Sequence, residues 1–263
     1  MHGEPMPAVF VGHGNPMHAI DDNTWTRQWK ALGASLPRPR AILVISAHWY
    51  VPGTRVTAQE RPPTIHDFGA FPQALFDVQY PAPGDAELVE RVRALLAPQT
   101  VVADATSWGI DHGAWSVLVH LFPDADVPVV QLSINESLTP EQHFALAQKL
   151  APLRDEGVLI VGSGNIVHNL AQGKWREHDG PPHPWAQRFD DRIRDAITAG
   201  DDRTVVHYAE LPDAAIAAPD EDHFYPLLYV LATRRPNDKV SFPVEGIDMG
   251  AFSMRSVMLS AKA

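Results

Sequence analysis

Val9-Phe10-Val11-Gly12-His13-Gly14-Asn15-Pro16 is the stretch whose reading decides the fold. The apolar run from Ala8 to Val11 stops at a histidine held between two glycines. A buried strand running into a glycine turn has this form. Open α/β sheets bind ligands beyond the C-terminal ends of their strands, so His13 falls where such a sheet does chemistry. The pattern recurs twice. Ala41-Ile42-Leu43-Val44-Ile45-Ser46-Ala47 ends at His48, and Gly157-Val158-Leu159-Ile160-Val161-Gly162-Ser163-Gly164-Asn165 leads to His168. Three apolar runs, each delivering a histidine at or just past its C-terminal end, predict one convergent site.

Outward from these runs, strands and helices alternate. Asp22-Asn23-Thr24 caps a helix over about 25–36, stopped by Pro37 and Pro39. Residues 54–59 read as a strand. Residues 60–84 carry prolines, glycines and aromatics without a sustained period; Phe68, Phe71, Phe76 and Tyr80 argue for an ordered lid. Asp85 opens a helix in which Leu88, Val89, Val92, Leu95 and Leu96 share a face, and Pro98 ends it. A strand over 100–105, a helix over 114–122 and a strand over 127–134 follow. Thr139-Pro140 starts a helix to about Leu153. An amphipathic helix over 185–199, a helix over 223–233, and strands over 240–244 and 256–259 complete the chain. This alternation predicts one α/β domain, residues 1–263, with a mainly parallel central sheet and helices on both faces.

Composition narrows the chemistry. The formal net charge of −11 argues against nucleic acid or an anionic membrane as a partner. Without a cysteine there is no disulfide, thiol nucleophile, zinc-thiolate site or iron–sulfur cluster. No signal peptide and no bilayer-spanning apolar stretch is visible, and a cytoplasmic protein is expected. The 13 histidines stand out, because histidine is both the commonest metal ligand and the usual acid/base near neutral pH.

Taken singly, a strand-end histidine is more often structural than functional. Three at equivalent positions are read differently. His13 between glycines and His48 after small residues are candidate metal ligands. His168, three residues past the glycine turn, has a bland alternative at a solvent-facing helix start. His112 in Asp111-His112-Gly113 either sits in a capping turn or is presented into the site. His223, after Asp220-Glu221-Asp222, is either a charged helix start or a late-chain ligand. His66, with Asp67, lies in the lid and could meet substrate or form a loop ion pair. His2, His18, His120, His143, His178, His183 and His207 are read as structural or solvated. An oxygen/nitrogen donor set without thiolates suits Zn, Fe(II) or Mn. His-Glu-x-x-His, a phosphate loop, a complete dinucleotide fingerprint and a Gly-x-Ser-x-Gly elbow are all missing.

Several motifs stand in one order: Gly12-His13-Gly14-Asn15-Pro16, Ser46-Ala47-His48-Trp49, His66-Asp67-Phe68-Gly69, Tyr80-Pro81-Ala82-Pro83-Gly84, Asp111-His112-Gly113, and Gly162-Ser163-Gly164-Asn165-Ile166-Val167-His168-Asn169-Leu170. Together they make the chain resemble the 4,5-DOPA extradiol dioxygenase family. That family belongs with the class III extradiol ring-cleavage dioxygenases, related to the catalytic subunit of protocatechuate 4,5-dioxygenase. The likeness runs from His13 to the closing strands. It implies one divalent metal per chain held by His13, His48 and His223, with His168 a fourth ligand or an acid/base beside it. It also implies that His112 meets substrate or oxygen. Fe(II) is expected for O2 chemistry, and Zn(II) suits the same histidines; Glu221 or Asp222 could contribute a carboxylate.

The mechanism expected from this likeness is extradiol cleavage of a catechol by O2. His168 is then the base, His112 steadies charge on oxygen, the 60–84 loop covers the ring with Phe68 and Phe71, and His66, Phe68 and His112 are the expected substrate contacts. Two competitors use the same residues. One is a zinc hydrolase with His168 or Glu221 as base. The other is a non-catalytic binding protein in which four histidines close around zinc. Arg55, Arg61 and Arg176 are the candidate partners for a substrate carboxylate.

Overall fold

The computed structural model describes residues 4–175 and 180–261. His2, Arg176 and His178 lie outside them. The strands, in chain order, are β1 (Ala8–Gly12), β2 (Ala41–Val51), β3 (Thr54–Thr57), β4 (Val101–Asp104), β5 (Val129–Asn135), β6 (Val158–Gly164), β7 (Asp238–Ser241), β8 (Ile247–Asp248), β9 (Phe252–Ser253) and β10 (Val257–Ala261). The helices are α1 (Thr24–Ser35), α2 (Gln73–Phe76), α3 (Ala86–Leu96), α4 (His112–Leu121), α5 (Pro140–Gln148), α6 (Pro184–Ala199), α7 (Asp202–Val206), α8 (Ala214–Ala217) and α9 (Tyr225–Leu231).

Eight strands form one sheet in the order β4-β3-β5-β2-β6-β1-β10-β7. Its centre, β5-β2-β6-β1, is parallel. The closing strands β10 and β7 run antiparallel at one edge, and β3 meets β5 antiparallel near the other. The α/β, mainly parallel reading therefore holds.

Continuous apolar runs are what a sheet covered on both faces requires. Side chains alternate along each strand, so each run feeds two cores. Val9, Val11, Ile42, Val44, Leu159 and Val161 pack with α1 and α4. Ala8, Phe10, Leu43, Ile45, Val158 and Ile160 pack with α3, α5, α6 and α9.

Local signals set most helix ends. Asn23 caps α1 in a reciprocal box with Thr26, and Thr139 caps α5 in another with Gln142. Asp85 caps α3. Two boundaries differ from the sequence reading by four residues or more. The helix begun at Pro140 stops at Gln148, and a separate 3-10 turn covers Ala151–Glu156. Pro152 explains the break, since it lacks the N–H and crowds the carbonyl four residues back. β2 does not end at Ala47 but continues to Val51, with an irregularity in its pairing between Ile45 and Tyr50. His48 therefore lies inside a strand, in the stretch where regular pairing lapses.

Register then positions the site. Val11 and Ser46 both lie opposite Ser163 of β6. His13 and His48 each follow two residues later. They stand at one level on either side of β6, and an even offset keeps them on the same face.

Candidate metal and active site

His13 and His48 meet over the end of β6, with their Nε2 atoms 3.3 Å apart. His223 comes from the turn before α9 rather than from the helix itself, whose first residue is Tyr225. That turn docks on β6 through Asn165, whose N–H donates to the His223 carbonyl at 2.8 Å. Gly164 permits the approach: a Cβ there would stand 2.2 Å from the same carbonyl oxygen. One ring nitrogen from each of His13, His48 and His223 lies within 4.8 Å of the other two.

Partners outside the cluster orient two of these rings. His13 Nδ1 is 3.0 Å from Ser163 Oγ. His223 Nδ1 donates to Asp222 Oδ1 at 3.0 Å. Burial, reinforced by the neighbouring histidines, holds the pKa of His13 and His48 well below the ordinary imidazole value. Both are neutral at neutral pH and keep a lone pair. Neutral imidazoles converging on one point fit a divalent transition metal. The 3.3 Å separation is close to the roughly 3.3 Å edge of a tetrahedron with 2.0–2.1 Å metal–nitrogen bonds.

Among the described residues, His168 is not in this donor group. Its ring stacks on His223 at 3.5 Å between centroids, tilted by 5°. Its backbone N–H donates to Ala217 at 2.8 Å, which fixes the loop carrying it. Burial and the His223 ring lower its pKa, against a smaller opposing effect of Asp222. A fourth imidazole closing a tetrahedron is therefore not what the geometry displays. The two acidic neighbours of His223 serve elsewhere: Asp222 backs the imidazole, and Glu221 accepts from Tyr50 Oη at 2.9 Å.

His112 opens α4 and lies beside His48, with ring centroids 3.8 Å apart. Asp67 of the lid accepts its backbone N–H at 2.8 Å, and the same oxygen lies 3.0 Å from His112 Nδ1. His48, Asp67 and His112 thus form a second group of convergent donors. Asp111 caps α4 from behind. Its carboxylate takes bonds from Ser46 Oγ at 2.7 Å, the Ala114 N–H, Trp108 Nε1 and Gln131 Nε2. Complete burial and the nearby Asp67 charge raise its pKa to about 6, with the Ser46 and Gln131 bonds opposing.

All five histidines face one cavity of about 230 Å³. Phe68 and Phe71 of the lid, with Phe252, Leu170 and Trp175, supply its apolar wall. His66 does not line it. That ring sits behind Phe68 against Phe76 and Trp115, and its Nε2 contacts the Val78 carbonyl at 2.9 Å. It braces the lid. Arg55 is paired with Asp104, and Arg61 lines a different cleft. Phe252 and Trp175 escaped the sequence reading because only tertiary packing brings them to the mouth. Ser163 and Asp222 stood within or beside the quoted motifs, and the signal was their polarity next to predicted histidines.

Three convergent imidazoles at the parallel strand ends of an α/β sheet, under an aromatic lid, are the arrangement expected of a metal-dependent enzyme acting on a small flat molecule. Residues 6–248 match the family described as the catalytic LigB subunit of aromatic ring-opening dioxygenase, and the chain belongs to that family. It is similar to a 4,5-DOPA dioxygenase extradiol of Escherichia coli K12, at 49% identity over 98% of this chain and 96% of that protein. A Beta vulgaris 4,5-DOPA dioxygenase extradiol is 40% identical over 94% of both chains. The crystal structure of an uncharacterized protein from Escherichia coli K12 matches with a TM-score of 0.85 and 43% identity, covering 97% of this chain and all of that one. The family is one of metal-dependent ring-opening dioxygenases, so these findings favour ring opening by O2 over the zinc-hydrolase reading. Among the described residues no helix is long and apolar enough to cross a membrane.

Proposed function

We propose that the protein is a single catalytic domain that cleaves a DOPA-like catechol outside its two hydroxyls, yielding a ring-opened semialdehyde. The observation that carries this reading is the triad of convergent imidazoles at one end of an aromatic cavity. The names of the bacterial and plant relatives support the substrate class. His13, His48 and His223 hold the metal, which for O2 chemistry is Fe(II). Bound there, Fe(II) would supply Lewis acidity toward the substrate together with the redox capacity that O2 requires.

The protein's own groups do the rest. Phe68, Phe71 and Phe252 flank the ring and exclude water. His168 takes a proton from a catechol hydroxyl and later returns it. Burial lowers its pKa, so at neutral pH the ring is neutral and has a lone pair for that proton. Stacking on His223 holds its plane. His112 sits across the cavity, held by Asp67, and hydrogen-bonds the reacting oxygen. The absence of cysteine supports a cytoplasmic place of action.

The test is O2 uptake with catechol substrates. His13→Ala and His48→Ala abolish it, whereas His168→Gln lowers kcat by about 10²–10⁴. Wild-type turnover in either alanine variant overturns the metal assignment.

A further inference from the structure

We propose that Ser163 is a positioning residue that locks the His13 imidazole as the Nδ1–H tautomer and so presents a bare Nε2 to the metal. The inference rests on the metal site proposed above and follows from counting protons. Ser163 Oγ lies 2.5 Å from the Gly113 carbonyl oxygen and 3.0 Å from His13 Nδ1. A carbonyl cannot donate, so the single hydroxyl proton of Ser163 goes to Gly113. The serine oxygen can then only accept from His13, and the ring proton must be on Nδ1. The remaining lone pair is on Nε2, the atom 3.3 Å from His48 Nε2.

Among the described residues the Ser163 hydroxyl bonds only Gly113 and His13. His13 and Ser163 are buried, and Gly113 is buried with them. Ser163 is also the residue of β6 opposite both Val11 and Ser46, so its hydroxyl sits midway between the strands carrying His13 and His48. Through Gly113 it ties His13 to the first turn of α4, next to His112. His223 has its tautomer set by the Asp222 carboxylate, whereas His13 relies on this neutral relay. Hydrogen-bond partners of ligating histidines fix ring orientation, and losing one typically costs 10–100-fold in metal affinity.

The test uses the full-length protein, prepared metal-free and titrated with Zn(II) against a chromophoric chelator. Ser163→Ala is expected to bind Zn(II) about 10–100-fold more weakly, and Ser163→Thr, which keeps the hydroxyl, to restore wild-type affinity. Nitrogen-15 NMR of the histidine-labelled, metal-free wild type should show His13 protonated at Nδ1. In Ser163→Ala that preference should be lost while His223 keeps its own, an effect that general loosening of the fold would not produce. Protonation of wild-type His13 at Nε2 overturns the proposal, even where Ser163→Ala does not fold. Unchanged affinity in folded Ser163→Ala, with affinity lost in His13→Ala, also overturns it while leaving the metal site standing. Unchanged affinity in both refutes the metal site and the inference together.

Discussion

Gly113→Ala should separate stability from activity. Gly113 is the second residue of α4, between His112 and Ala114. Alanine is favoured there on propensity alone by up to about 1 kcal/mol. Space is the problem. A Cβ at this position stands 2.5 Å from Ser46 Oγ and 2.6 Å from His48 Cδ2. Ordinary carbon–carbon contact begins near 3.5 Å, so something must yield by about 1 Å. Ser46 is tied to Asp111 at 2.7 Å in a buried network, so the His48 ring is the part that moves. Overpacking of this kind costs about 1–3 kcal/mol, and the propensity gain offsets part of it. The net loss of about 0–2 kcal/mol corresponds to a drop of a few degrees in Tm for a chain of this length. Displacing a reacting group by about 1 Å costs on the order of 10²-fold in rate. The expected result is a folded variant, melting within a few degrees of wild type, whose kcat/KM for O2 uptake falls about 100-fold. A calorimetric scan and an oxygen electrode measure the two quantities. Wild-type kcat/KM in the folded variant would refute the placement of His48 at the reacting centre.

Other expectations concern the frame of the site. His143 is buried against Tyr229, and burial lowers its pKa to about 4. Below pH 6.5 the unfolded chain takes up a proton that the folded chain refuses until about pH 4, so stability present at neutral pH is lost across that window. Its share is at most about 3 kcal/mol. Urea titrations at several pH values should show His143→Gln with a flatter profile between pH 4 and 6.5, and an unchanged slope would count against the assignment. Asp111→Ala should lose about 3 kcal/mol or more, because the donors from Ser46, Gln131, Trp108 and Ala114 lose their common acceptor; a wild-type denaturation midpoint would contradict the network.

What the sequence showed and what it hid divide along physical lines. β1, β2 and β6 were readable because a strand buried on both faces leaves a continuous apolar run. The caps at Asn23, Asp85 and Thr139 were readable because capping is local chemistry. Strand order was not, since no periodicity says that β6 lies between β2 and β1. The histidines His13, His48, His112, His168 and His223 were found from strand ends, turns and motif order. What each one does depends on partners far along the chain. Ser163 meets His13 across 150 positions, and Phe252 reaches the cavity from the far end of the sequence. His66 shows the reverse: a lid residue in a resembling motif that faces inward to brace Phe68.

The most direct test of the central claim is oxygen consumption by metal-free protein reloaded anaerobically with Fe(II) or with Zn(II) and then mixed with a small panel of catechols. Uptake with Fe(II) only, together with a new yellow semialdehyde absorbance in equal amount, is the result expected. Equal uptake with Zn(II), or product formed without O2, would contradict it.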